Sequence, residues 1–199
     1  MSPLNKQQLE RIRDERREQI KQTAMKLFAR KGFAGTKTSM IAAEAGISEG
    51  LIYRHYSSKD ELFTEIVQEL MDEARRELEH LPHLPGTPYE QIKALTENML
   101  DVNHKYAFML MERTRKNEAV PEAVKAIFQN HRDLAFTDPM VPVVEQGQRD
   151  GQFTEGDPRK LLSWYFSVVN SLIVQEQEHQ PYGMPDVDVL MRMLGSPKP

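Results

Sequence analysis

The spacing of the apolar residues limits the possible folds of this chain more than any other feature. They recur at intervals of three and four along almost the whole sequence, which is the period of helices buried on one side. A long alternation of Val, Ile and Thr with polar residues, the pattern of a half-buried strand, is absent. The sequence therefore predicts an all-α protein.

Glycine, proline and capping residues divide this pattern into segments. Gly32 is expected to end the first helix and Gly46 to separate two short ones, capped by Thr38 and Ser48. Capping boxes are expected at 58–61 and 87–90, and Asp157 with Pro158 begins another helix. The predicted helices cover about 9–31, 39–45, 49–56, 58–78, 88–104, 106–116, 121–136, 139–150, 159–179 and 185–194.

Charge divides the chain into two parts that meet near residue 60. Residues 1–60 hold 12 Lys and Arg against 7 Asp and Glu, a net charge of +5, and residues 61–199 carry the remaining −9 of the overall −4. We therefore predict a basic head, 1–60, and an acidic body, 61–199, with a Pro- and Gly-containing linker at 81–87. A basic head on an acidic body suggests that one end meets a polyanion, although a solvated charged face has the same pattern.

Several classes of function find no support in the sequence. Cysteine is absent, which excludes disulfides, thiol nucleophiles and cysteine-ligated metals. No apolar run reaches the length of a membrane span and the first 17 residues are polar, so we expect a cytoplasmic protein without membrane contact. The motifs of serine hydrolases, P-loop nucleotide binders and zinc peptidases are missing. We expect no enzyme activity, no cofactor and no metal site.

Two short helices joined by a glycine-containing turn, Gly46-Ile47-Ser48, form the pattern of a helix-turn-helix. Small or medium apolar residues, among them Ile41 and Ala42 on the first helix and Ile52 on the second, allow the close crossing that this motif needs. The same hairpin also occurs as plain scaffold, so the pattern alone leaves DNA binding open.

The residues around the turn carry more information. Residues 32–63 read GFAGTKTSMIAAEAGISEGLIYRHYSSKDELF, and this stretch closely resembles the DNA-binding head of the TetR/AcrR family of bacterial regulators. The resemblance covers about residues 10–65 at the level of motifs, and the rest of the chain only in helix number and length. It implies a three-helix head that binds duplex DNA, followed by a helical body that binds a ligand and dimerises.

The resemblance also implies roles for single residues. Those expected to contact phosphates are Thr38, Tyr53, His55 and Lys59, and those expected to face the major groove are Ser39, Ser48, Glu49, Gly50, Leu51 and Arg54. Phosphate contacts would place the third helix, and base contacts would select the sequence. Tyr53 as a core aromatic and His55 as a surface histidine are the structural alternatives.

A single helix-turn-helix covers few base pairs, so two copies are usually held about 34–36 Å apart. The segment 159–179 is apolar on nearly all sides and needs cover on a second surface, which we expect to be the same helix of another subunit, joined by the segment 139–150. A buried monomer core is the alternative. The predicted dimer residues are Val143, Val144, Gly147, Leu161, Tyr165, Val168 and Leu172.

The segment 61–136 is rich in methionine and aromatic residues, which adapt to varied apolar ligands but equally fill a core. In the family this region binds a small effector, so the resemblance implies a pocket for a hydrophobic or amphipathic molecule. The predicted pocket residues are Leu95, Met99, Tyr106, Phe108, Met109, Ile127 and Phe128.

The sequence thus predicts a homodimeric regulator of transcription, most simply a repressor, that binds a double-stranded DNA operator and is released by a small effector. The alternative is a helical interaction protein whose basic head docks on an acidic protein. A steep fall of DNA affinity with salt would distinguish the first from the second.

Overall fold

The computed structural model describes residues 6–101, 104–116, 119–130, 137–175 and 183–195. These residues form α-helices and two short 3-10 helices and contain no strand, which confirms the predicted all-α class. The helices of the head are α1 (Lys6–Gly35), α2 (Thr38–Ala45) and α3 (Glu49–Ile52). Those that follow are α4 (Lys59–His80), α5 (Pro88–Leu100), α6 (Lys105–Lys116), α7 (Glu122–Asn130), α8 (Val141–Arg149), α9 (Pro158–Val174) and α10 (Val187–Met191).

Local signals fix the ends of most of these helices. Gly32 has a positive φ of 73° and interrupts α1 where the sequence predicts its end. Thr87 and Glu90 make the complete predicted capping box at the start of α5. Asp157 accepts hydrogen bonds from the first backbone amides of α9. These predictions of helix ends are confirmed.

Other predicted ends are wrong by a few residues. Lys37, not Thr38, is the N-cap of α2, and the predicted cap Ser48 stands at the N-cap of α3 without a side-chain capping bond. The segment predicted to run to 104 ends at Leu100, and the one predicted to run to 179 ends at Val174. The last helix has its N-cap at Asp186 rather than beginning at 185.

Two predicted ends concern residues outside the part that the structure describes. The helix predicted for 121–136 is described as α7 from Glu122 to Asn130, and 131–136 lie outside the described residues. Residues 176–179, predicted to complete the helix from 159, lie outside them as well.

The head packs on α1, which contacts α2, α4 and α6. Its centre is an aromatic cluster in which Phe28 and Phe33 each lie with ring centroids 4.8 Å from Phe63 of α4. Ile20, Ile41 and further apolar side chains complete this core with no exposed surface. The same helix therefore supports the short helices on one side and the body on another.

In the body, α9 packs against α5, α6 and α8, and α10 lies on α5. The predicted linker 81–87 contains a 3-10 helix, Leu81–His83, whose first residue is buried. The predicted boundary at residue 60 falls in the first turn of α4, a helix that also packs on α1. The division into 1–60 and 61–199 stays a prediction.

Within the described residues no helix has both the length and the apolar composition needed to span a bilayer.

Candidate nucleic-acid interface

The turn between α2 and α3 is built as the sequence predicts. Gly46 takes the left-handed conformation, φ 66° and ψ 34°, and ends α2. The amide of Ile47 then donates to the carbonyl of Ala42 at 3.0 Å, which reverses the chain within a few residues. Ile41, Ala42, Ala45 and Ile52 are buried between the two helices and α1, so the predicted close crossing is present.

The third helix is shorter than the predicted 49–56. Regular α-helix covers only Glu49–Ile52, and the chain continues as a tighter turn in which the amides of His55 and Tyr56 both donate to the carbonyl of Ile52 at 2.9 Å. Tyr56 is buried against the head core. The turn thereby presents Tyr53 and Arg54 to solvent, with Tyr53 52% exposed, so Tyr53 is not the core aromatic that was one alternative.

Three predicted contact residues meet in one hydrogen-bonded cluster. The hydroxyl of Thr38, in the first turn of α2, donates to Oε1 of Glu49 in the first turn of α3. The same hydroxyl oxygen lies 3.2 Å from the hydroxyl of Tyr53. The structure therefore brings together a residue of α2 and residues at both ends of α3, although no sequence signal links their side chains.

The remaining groove-facing candidates lie around this cluster. Ser39, Ser48, Gly50 and Arg54 are exposed, and Leu51 is half-buried. A Cβ on Gly50 would meet no atom within 4 Å, so packing within the chain does not explain the glycine. A smooth backbone at that point does suit close approach to another molecule.

Lys59 is placed differently from the simple expectation of a phosphate contact. Its ammonium group donates to the carbonyls of Phe33 and Thr36 at 2.9 and 3.0 Å and lies 4.0 Å from the ring centroid of Phe33. Two of its three protons are thus used inside the head, where they tie α4 to the residues that end α1. A phosphate could receive only the third proton, so that contact stays a prediction.

His55 lies beside the basic part of α1. Its Nδ1 is buried and makes no hydrogen bond to any residue that the structure describes. Desolvation lowers the pKa of this imidazole below its usual 6.5, and the positive charges of Arg13, Arg17 and Arg16 lower it further. The contact of His55 with a phosphate stays a prediction.

Ion pairs that the sequence reading missed join α1 to α4. Arg17 donates to both carboxylate oxygens of Glu65, and its guanidinium lies over the ring of Tyr56. The hydroxyl of Tyr56 donates to the same carboxylate at 3.3 Å. One turn further, Lys21 pairs with Glu69 at 2.7 Å. The sequence places two basic residues four apart on α1 and two acidic residues four apart on α4, yet only the fold shows that these two faces meet.

The predicted dimer residues divide into two groups. Val168 is 38% exposed, Leu161 and Leu172 are half-buried, and all three lie on the outward face of α9 with Trp164, which is 61% exposed. By contrast, Val143, Val144, Gly147 and Tyr165 are buried in the core of the single chain.

Their placement does not favour that part of the dimer prediction, because residues with so little exposed surface have little to give a partner, and their assignment to the interface stays untested. Tyr165 makes a buried hydrogen bond to Thr96 at 2.8 Å, and burial raises the pKa of its hydroxyl to about 12. Gly147 leaves room for the ring of Phe153, because a Cβ at position 147 would lie 2.2 Å from a carbon of that ring.

The predicted pocket residues are packed rather than arranged around a cavity. Met99, Met109 and Ile127 are buried in the core, and Leu95, Tyr106, Phe108 and Phe128 are half-buried against it. A groove of about 880 Å³ lies between α4 and α7, and of the predicted set only Ile127 lines it. The arrangement fits the core alternative, and a ligand in this region would have to open it. Among the described residues, no cluster of three His, Asp or Glu is placed to hold a metal ion.

Taken together, a glycine-ended α2, a short α3 and an exposed polar face form a helix-turn-helix, the motif typical of one class of DNA-binding proteins. Comparison with known proteins agrees. Residues 20–66 match the model of the bacterial regulatory proteins of the tetR family. An uncharacterized HTH-type transcriptional regulator of Bacillus subtilis, YfiR, is 26% identical over 169 residues, 82% of this chain and 80% of that protein.

Two further matches extend over much of the chain. The HTH-type transcriptional repressor KstR2 of Mycolicibacterium smegmatis is 23% identical over 139 residues, 69% of this chain and 67% of that protein. The crystal structure of AibR in complex with isovaleryl coenzyme A and operator DNA superposes with a TM-score of 0.67 at 21% identity, covering 92% of this chain and all of that one.

Residues 20–66 thus match a TetR-family DNA-binding domain, and the similarities together support a TetR family transcriptional regulator. The expectation that it is a DNA-binding regulator and not an enzyme is thereby confirmed. Which residues contact DNA, an effector or a second subunit is a separate question, and those assignments stay predictions.

Proposed function

We propose that this protein is a dimeric transcriptional repressor that binds an operator through α2 and α3 and leaves it when a small molecule binds the body. The observation that carries the proposal is the exposed face of the helix-turn-helix. Thr38 and Tyr53 meet there at 3.2 Å, and no residue that the structure describes comes within 4 Å of a Cβ placed on Gly50. A face of this kind, on a head of net charge +5, is suited to a groove lined by phosphates.

In this proposal Thr38, Tyr53 and His55 contact phosphates, and Lys59 adds its remaining proton. Ser39, Ser48, Gly50, Leu51 and Arg54 then face the bases. Repression is favoured over activation by the similarity to KstR2, which is named a repressor. A bound head would block access of polymerase to the same DNA.

The second copy of the head is supplied through the outward face of α9, formed by Leu161, Trp164, Val168 and Leu172. This face is apolar and exposed, and burying it in a two-fold contact removes that surface from water. The exposed residues of α8, Pro142, Glu145, Gln146 and Arg149, are mostly polar. They suit the rim of such an interface rather than its centre.

The effector site is proposed within the body, where Leu95, Tyr106, Phe108 and Phe128 are half-buried against the core and α5 and α6 also carry methionines. Support comes from AibR, which was crystallised with isovaleryl coenzyme A and operator DNA together. A hydrophobic or amphipathic molecule would displace these side chains from the core, and methionine adapts readily to such a change.

The test is a salt titration of DNA binding by the full chain. A fluorescent duplex library of random sequence is bound at rising salt, and the slope of log affinity against log salt counts the phosphates contacted. A steep slope for duplex DNA, with little binding to a polyglutamate peptide, supports the proposal. Preference for the acidic peptide would favour the alternative of a protein-docking head.

A thermal-shift screen that includes isovaleryl coenzyme A and octanoate then tests the effector site.

A further inference from the structure

The cluster of Thr38, Glu49 and Tyr53 has a defined direction of proton donation. Each hydroxyl has one proton to give, and a carboxylate has none. The contact between Thr38 and Oε1 of Glu49 therefore uses the proton of Thr38. It follows that in the 3.2 Å contact between the two hydroxyls Tyr53 is the donor and Thr38 the acceptor.

Both hydroxyl protons are thus directed inward, from Tyr53 to Thr38 and from Thr38 to Glu49. A phosphate oxygen only accepts hydrogen bonds, so neither hydroxyl can donate to DNA while this chain of bonds is intact. Docking on a phosphate requires Thr38 or Tyr53 to turn its proton outward. If Thr38 does so, Glu49 loses its donor.

Glu49 without that donor is unfavourable at the DNA surface. The phosphates repel a carboxylate. Leaving a desolvated carboxylate without a hydrogen bond also costs more free energy than the lost hydrogen bond itself was worth. The major groove offers a replacement donor only at certain bases, namely the amino group N4 of cytosine or N6 of adenine. At other base edges the released carboxylate faces acceptors such as O6 of guanine or O4 of thymine.

We propose that Glu49 is a specificity-determining residue that makes the phosphate contact of Thr38 conditional on an amino group in the groove. This inference rests on the proposed DNA-binding function. On a matching site the base amino group replaces Thr38 as donor and the Thr38 hydroxyl turns to phosphate. On other sequences the cluster stays closed and the head binds weakly.

Glu49→Gln tests the idea with little change of shape. The neutral amide can still accept from Thr38, but it adds no repulsion and its own amide protons satisfy guanine or thymine acceptors. We expect affinity for unselected DNA to rise severalfold and the preference for the selected site to fall about tenfold, the discrimination typical of one base contact. Asp14→Asn is the matched control, because it removes one exposed negative charge from α1 of the same head.

The experiment uses the full chain and a randomised duplex library of about 30 base pairs, long enough for two half-sites one helical turn apart. Wild type, Glu49→Gln and Asp14→Asn are each taken through selection and sequencing. Affinities for the wild-type selected site and for a scrambled duplex are then measured by fluorescence anisotropy. The proposal expects Glu49→Gln to lose base preference at one pair of symmetric positions and Asp14→Asn to keep it.

A double-mutant cycle separates released hydroxyls from simple charge removal. Thr38→Val removes the hydroxyl, and we expect Glu49→Gln in that background to raise affinity for scrambled DNA no more than Asp14→Asn does. An equal gain with and without the Thr38 hydroxyl would overturn the coupling.

An unchanged ratio of selected to scrambled affinity in Glu49→Gln would overturn the assignment of specificity while leaving the proposed function standing. A wild-type chain that selects no sequence would overturn the proposed function and this inference with it.

Discussion

The guanidinium of Arg113, on α6, donates a hydrogen bond of 2.8 Å to the backbone carbonyl of Arg30 near the end of α1. Carbonyls in the last turn of a helix lack partners within it, and a cation there also suits the helix dipole. The side chain of Arg30 in turn pairs with Glu44 of α2 at 2.6 Å and lies 5.9 Å from the ring centroid of Tyr106. A body helix is thereby connected through one residue to the first helix of the helix-turn-helix.

Removing this connection should loosen the head from the body. We expect Arg113→Met to lower the free energy of unfolding by about 1 kcal/mol, since the backbone carbonyl of Arg30 loses its charged donor. For a chain of this size that corresponds to a fall in Tm of about 3 °C. Amide hydrogen exchange should also become faster in the last turn of α1. Arg115→Met is the control, because Arg115 is exposed and its ion pair among the described residues is with Glu112 of its own helix. Equal effects of both variants would contradict the role of the Arg30 carbonyl.

Gly147 provides a test of the core of the body. In Gly147→Ala the new Cβ would lie 2.2 Å from a ring carbon of the buried Phe153, so the ring must move. Overpacking costs about 1–3 kcal/mol, and the better helix propensity of alanine returns about 1. We expect a net loss of about 1 kcal/mol in chemical denaturation and no change in dimer affinity, because Gly147 faces its own chain.

Gly50→Ala is the matched control for this prediction. Its Cβ would meet nothing within 4 Å, so stability should stay level or rise slightly. If Gly147→Ala weakened dimerisation without lowering stability, the original assignment of Gly147 to the interface would be restored.

Much of the fold could be predicted because its signals are local. Gly32, Gly46 and the pair Thr87 and Glu90 act on their neighbours in sequence, and each does what its residue type predicts. The ends at Leu100 and Val174 carry no such signal, and the following residues, Asp101 and Gln175, are simply extended. Such ends are decided by packing between helices that are distant in sequence.

The candidate site was predictable as a set of residues but not as an arrangement. The motif around Gly46 indicated which side chains to examine, whereas the bond from Thr38 to Glu49 depends on how α2 crosses α3. For α9 the difficulty was different. A helix apolar on nearly all sides does not reveal which face is core, and Tyr165, predicted for the dimer face, is buried within the single chain.

DNA affinity should depend on pH through His55. Desolvation and the neighbouring arginines lower its pKa in the free protein, and a nearby phosphate would raise it. The complex then binds the proton more tightly than the free head does, so affinity should rise as pH falls through the raised pKa and level off below the lowered one. Anisotropy titrations between pH 8 and 5.5, roughly the range around an ordinary histidine pKa, check this. His55→Gln should flatten the profile.

The same shift has the opposite consequence for the free protein. Because the pKa of His55 is lower folded than unfolded, its neutral form is favoured in the fold. The stability it contributes is present above the unfolded value of about 6.5 and is lost as pH falls through the folded value. Urea denaturation without DNA should therefore show stability falling over this range more steeply in wild type than in His55→Gln. A DNA affinity that falls together with stability in acid would contradict the phosphate contact.

Dimerisation is tested most directly at the outward face of α9. Val168→Glu would place a charge in the centre of the apolar face formed with Leu161, Trp164 and Leu172, and we expect the dimer Kd to rise about 100-fold, or about 3 kcal/mol. Ser163→Glu is the control, since Ser163 is exposed on the other flank of the same helix. Trp164 is the single tryptophan of the chain, so its emission should shift to longer wavelength as the dimer dissociates on dilution.

Two linked heads bind a two-part operator far more tightly than one, so Val168→Glu should also lose operator affinity while Ser163→Glu keeps it. Sedimentation equilibrium showing Val168→Glu still dimeric would place the interface on another face.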